Sequence, residues 1–97
     1  MGAIGIVEVV GVVSAFEALD AMTKTSNVNI KTLEKKLGGR LVTLIIEGKV
    51  DDVTTAVDVG VYTANKITKC VANAVISKPH EEVIRLIEKS SAKYKEL

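Results

Sequence analysis

Residue types able to do chemistry are sparse in this chain of 97 residues. His80 is its one histidine and Cys70 its one cysteine. A general base or a metal ligand needs partners at a fixed spacing, and the sequence places none beside either residue. Glu8, Asp20 and Asp58 are scattered acids, and no spacing joins two of them to a nucleophile. No catalytic residue, metal ligand or cofactor is therefore assigned, and the chain is not expected to be an enzyme. Two short stretches carry a different kind of chemistry. Lys36-Leu37-Gly38-Gly39-Arg40 exposes bare backbone between two cations, and exposed N–H groups carry partial positive charge that suits anions and polar solutes. Ser77-Lys78-Pro79-His80 offers a cation and a proline turn just before a final helix.

The elements that must position these stretches follow from hydrophobic spacing. Residues 3–10 are rich in Ile and Val and read as a strand, with Gly11 as the turn out. Ser14 and Glu17 have the spacing of a capping box. With Ala15, Phe16, Ala18, Leu19 and Met22 at helical spacing, a helix is predicted over 14–25. A strand is predicted over 28–35, where Leu33 breaks the alternation and implies a bulge between Leu33 and Lys36. Gly38-Gly39 signals a hairpin into a strand over 41–46. Asp51 or Asp52 is placed as the cap of a second helix, with Val53, Ala56, Val57, Gly60, Val61 and Ala64 as its apolar stripe. A fourth strand is predicted over 70–76, and Pro79 suits the first turn of a third helix. The order βαββαβ is that of an α+β, ferredoxin-like domain. It has a four-stranded antiparallel sheet with helices on one face, plus a C-terminal helix. Residues 1–89 are read as one domain and 90–97 as a polar tail.

Bulk composition narrows the function. Apolar residues make up 47% of the chain, but only two Tyr and one Phe are aromatic. That composition suits thin, closely packed layers and leaves few rings to stack on sugars or bases. The 13 basic and 12 acidic residues give a net charge of +1, which argues against strong nucleic-acid binding. A lone cysteine makes a reducing cytoplasm the default. Glu8 interrupts the first apolar run, no basic n-region precedes it, and no run reaches about 18 residues, so neither secretion nor membrane spanning is expected. A domain this small buries only about two-thirds of its unfolded surface, which favours self-association.

Several segments, in order, resemble the single-domain bacterial microcompartment (BMC) shell proteins. Ile4-Gly5-Ile6-Val7-Glu8, Ala15 through Met22, Lys24 and Asn27-Val28 are similar to the opening of that family. Lys36 through Thr43 resembles its pore loop and following strand. Glu47-Gly48, Val50, Ala56 through Asp58 and Gly60 resemble its second half, and Lys78-Pro79-His80 its edge motif. The resemblance covers roughly residues 3–88 and implies a cyclic hexamer that tiles edge to edge with other shell hexamers into a sheet enclosing enzymes. It implies that Lys36, Leu37, Gly38, Gly39 and Arg40 line a central pore for small polar metabolites. Lys24, Asn27, Lys78, Pro79 and His80 would lie at the hexamer edge.

The chain departs from the family pattern in three places. Gly39 stands where a serine is common after the first pore glycine, Lys78 stands where arginine is common before Pro-His, and Glu34-Lys35-Lys36 is one residue longer. Loss of the serine side chain predicts a wider or more flexible pore. Lysine is a point donor and lacks the bidentate fork of arginine. Each site has a bland reading beside the functional one. Gly38-Gly39 is a tight hairpin, Lys36 and Arg40 are solvated strand ends, and Lys24 is a cation suited to a helix C-terminus. Asn27 orients Lys24 or only ends the helix, and His80 is a helix-start residue. Cys70 reads as a packed strand residue or a strand-start residue. The competing function is a small-molecule-binding regulator on a ferredoxin-like core. An acylphosphatase-type enzyme is disfavoured because Gly11-Val12-Val13 supplies no phosphate-binding arginine. An RNA-binding domain is disfavoured because the strands lack aromatics.

Overall fold

A computed structural model describes residues 1–35 and 39–95, with the backbone alone for 94 and 95. The elements are β1 (Ala3–Val10), α1 (Val12–Thr25), β2 (Asn29–Lys35), β3 (Leu41–Gly48), α2 (Val50–Ile67), β4 (Cys70–Ile76) and α3 (Glu81–Lys95). The strands form one antiparallel sheet in the order β2-β3-β1-β4, which is the ferredoxin-like arrangement.

Alternation in β1 sets the two faces of the sheet. Ala3, Val7 and Val9 are buried with Ala15, Ala18 and Met22 of α1 and with Val53, Ala56, Val57 and Ala64 of α2. Gly5 shares that face, and a Cβ there would come within 2.7 Å of Val57 and 2.9 Å of Val53. The absent side chain is what lets α2 lie directly on β1. Gly60 does the same between the helices, where a Cβ would sit 2.5 Å from the Met22 sulfur. Small residues thus thin both layers, as the low aromatic content requires.

The opposite face carries Ile4, Ile6 and Glu8, aligned with Glu47, Ile45 and Thr43 of β3. Here α3 packs, against β2. Its attachment is largely polar. Thr32 donates to Ser90 at 3.2 Å, Ser90 donates in turn to Glu34, and Lys31 pairs with Glu88. Ile87 is the buried apolar residue of α3. The helix is continuous across residue 90. No helix among the described residues is long and apolar enough to cross a membrane.

Local details differ from the sequence reading in five places. First, α1 starts at Val12 rather than Ser14, with Gly11 as its N-cap at φ 92° and no side-chain cap. Ser14 forms no capping box because its hydroxyl is drawn 2.5 Å from Thr68 Oγ1, which itself donates to the Val10 carbonyl at 2.6 Å. That partly buried chain joins α1, the end of α2 and β1, and it takes the Ser14 hydroxyl away from a local cap. Second, the register shift in β2 falls between Ile30 and Thr32, not at Leu33–Lys36. The extra residue, Lys31, turns toward acids on the α3 side. Third, Lys49 is the N-cap of α2, and Asp51 and Asp52 sit in the first turn, where their charge favours the helix N-terminus. Fourth, Pro79 precedes α3 instead of opening it. The His80 carbonyl accepts from the Val83 and Ile84 amides. Fifth, Phe16, placed with the apolar stripe of α1, is 57% exposed.

Candidate functional site at the two ends of the sheet

Strand register sorts the candidate residues into two groups. At one end, Ala3 pairs with Gly48, Ile4 with Ile76 and Asn29 with Glu47. The C-terminus of α1 arrives there, since the Asn27 carbonyl abuts Gly48. Lys24, Asn27 and the Lys78-Pro79-His80 exit from β4 therefore share this end. At the other end, Val10 pairs with Leu41, Lys35 pairs with Val42, and the Gly11 amide donates to the Arg40 carbonyl at 2.7 Å. The β2–β3 connection leaves from here. Seven strand steps separate the ends by roughly 23 Å.

At the first end, Lys24 is exposed and pairs with Asp20 at 2.8 Å across one helical turn. Its pKa is raised, first by the hydrogen bond it donates to Asp20 and then by that carboxylate's charge. Around the pair, the helix-end carbonyls already carry donors. Thr23 Oγ1 donates to Leu19 and Asp20, Thr25 Oγ1 to Ala21, and the Ser26 amide to Met22. Asn27, Lys78 and His80 are exposed and Pro79 is half-buried. The His80 imidazole is committed locally, with Nδ1 accepting the Glu82 amide at 3.1 Å. This contact places His80 at the start of α3.

At the second end, Gly39 and Arg40 are exposed, while Lys36, Leu37 and Gly38 lie outside the described residues. Beside this end, on the α3 side of the sheet, Glu8, Glu34, Lys35, Leu41 and Thr43 line a depression of about 390 Å³. Thr43 donates to the Glu8 carboxylate at 3.3 Å. Cys70 lies nearby at the start of β4, half-buried. Its amide donates to Asn65 Oδ1 and its thiol contacts the Ala72 carbonyl, which is the packed-strand role expected of it.

Sequence reasoning named Asp20 only as a scattered acid, although its i,i+4 spacing to Lys24 was a readable signal. It missed Lys31 with Glu47 and Glu88, and Ser14 with Thr68, because those pairings are distant in sequence. The edge strand β4 is exposed along nearly its whole length, including Val71 and Val75. Such an open edge is a surface that natural proteins cover or pair.

A family model described as the BMC domain matches residues 3–79. The chain is 40% identical over 87 residues to the bacterial microcompartment shell protein PduA of Citrobacter freundii, covering 90% of this chain and 92% of that protein. It is 36% identical over 83 residues to the shell protein EutM of Escherichia coli K12, covering 86% and 84%. A solved microcompartment protein from Desulfitobacterium hafniense superposes with a TM-score of 0.80 at 29% identity, covering 88% of this chain. The chain spans about half of that protein, at 48% of its length. On the matched domain and these relatives, the chain belongs to the BMC-domain family and is a bacterial microcompartment shell protein.

Proposed function

We propose that the chain forms cyclic hexamers that tile edge to edge into the shell, with the β2–β3 connection at the six-fold axis as a pore for small polar metabolites. The observation that carries this reading is the separation of the two groups. The loop 36–40 and the rim residues Lys24, Asn27, Lys78, Pro79 and His80 leave opposite ends of one rigid sheet. A wedge built this way meets its copies at one end and its neighbours at the other. Exposed β4, with Val71 and Val75, supplies apolar surface for contacts around the ring.

The role is structural, as its relatives' names indicate for them. Its partners are then five copies of itself, neighbouring shell hexamers, other shell proteins and the enzymes enclosed. The pore reading rests on bare backbone at Gly39 and the exposed cation Arg40, a setting that favours polar and anionic solutes over apolar ones.

Mass determination in solution with negative-stain imaging tests the reading. Hexamers that associate into sheets or tubes are expected. A monomer or dimer at high concentration, with no ordered assembly, would remove both the tile and its pore.

A further inference from the structure

Resting on the tile reading above, we propose that Asp20 is the acceptor for Lys24 of the neighbouring hexamer, so that each edge is closed by two reciprocal Asp20–Lys24 pairs. Identical hexamers meeting in a flat sheet are related by two-fold axes, and a two-fold contact places each residue opposite its own copy. A rim bearing Lys24 alone would face another Lys24 with uncompensated repulsion. This rim bears both signs, one helical turn apart, at 2.8 Å within the chain. Across a two-fold axis the same two residues are self-complementary. If Asp20 of one copy reaches the partner's Lys24, symmetry makes the second pair at once.

Several of the alternative acceptors are already engaged. The carbonyls of Leu19, Asp20, Ala21 and Met22 take donors from Thr23, Thr25 and Ser26, and the Ser26 carbonyl accepts the Val28 amide. The Asp20 carboxylate is a stronger acceptor than the remaining neutral carbonyls, since charge-assisted bonds are about twice as strong as neutral ones. Glu17, one turn before Asp20 on the same helix, adds a weaker attraction for Lys24. An exposed pair within one chain contributes little to folding. Closed between two tiles and repeated on every edge, it loses competing water and gains from multivalency.

The test uses wild type, Asp20→Lys, Lys24→Asp and the double variant Asp20→Lys with Lys24→Asp. Both side chains are largely exposed, at 58% and 74%, so the hexamers should survive each change. Wild type should form sheets that weaken as ionic strength rises. Each single variant should give hexamers without sheets, because position 20 and position 24 then carry the same sign. The double variant restores opposite signs at the two positions on every edge and should recover sheets. Sheets from Asp20→Lys alone, or no recovery in the double variant, would overturn the pairing. Failure of wild type to form hexamers or sheets would instead overturn the tile reading on which it rests.

Discussion

The Lys31 ammonium lies 3.0 Å from the Glu88 carboxylate, joining the displaced residue of β2 to α3. Glu47 of β3 stands 3.6 Å away on the other side. The Lys31 side chain is only 14% exposed, so the pairing is shielded from solvent. Because α3 holds the sheet mainly through β2, this one cation anchors much of the helix.

Replacing Lys31 with Met therefore leaves two carboxylates facing each other without their cation. The expected loss is about 1–3 kcal/mol in chemical denaturation, with faster hydrogen exchange confined to α3 and β2. The hydrogen bond donated to Glu88 raises the Lys31 pKa above the usual 10.5, burial opposes it, and the charges of Glu47 and Glu88 add to the rise. A raised lysine contributes its full stability below pH 10.5 and loses it as pH climbs through the higher folded value. Wild type should lose stability in that alkaline window and the variant should not. Equal alkaline sensitivity in both would show that the latch is not Lys31.

Two glycines make a matched pair of packing tests. Alanine at position 5 drives a methyl into Val57 and Val53, β-branched side chains with few alternatives, and should cost about 1–3 kcal/mol. Alanine at position 60 meets the Met22 thioether, which can swing aside, and gains up to about 1 kcal/mol in helix propensity. Denaturation midpoints should fall clearly for Gly5→Ala and little for Gly60→Ala. The reverse order would mean that α1 and α2, rather than α2 and the sheet, form the tighter layer.

Thr68→Val breaks the hydroxyl chain from Ser14 to the Val10 carbonyl and strands the buried Ser14 hydroxyl. A loss of about 1–3 kcal/mol is expected, with part of it returned by adding Ser14→Ala, which removes the unpaired group. Additive losses in the double variant would show that the two hydroxyls act separately.

These contacts mark the boundary of what the sequence reveals. Element order and strand topology were legible because Ile and Val runs, Gly turns and helical stripes are local signals. So was the Asp20–Lys24 spacing. Ser14 was misread as a cap because its partner, Thr68, is remote in sequence. The bulge was misplaced by a few residues because Leu33 interrupts an alternation whose true fault is the extra residue Lys31. Lys31 reads as an ordinary surface lysine until α3 is placed over β2. The separation of Lys24, Asn27 and His80 from the β2–β3 connection follows from the antiparallel register and becomes visible only once β1 is paired on both sides.

Pore chemistry gives the last prediction. The Gly11 amide holds the Arg40 carbonyl at 2.7 Å, so the backbone at the end of the loop is fixed independently of the Arg40 side chain. In the proposed hexamer, Arg40→Glu should therefore leave fold and assembly intact while replacing six positive charges near the proposed axis with six negative ones. Single-channel recording of the hexamer in planar bilayers should show anion preference in wild type and cation preference in the variant. Gly39→Leu adds bulk at the same loop and should lower conductance without changing which ion is preferred. Unchanged selectivity in Arg40→Glu would mean that the arginines point away from the axis, leaving the backbone amides to set the field. Unchanged conductance in both variants would mean that ions do not pass through this loop at all.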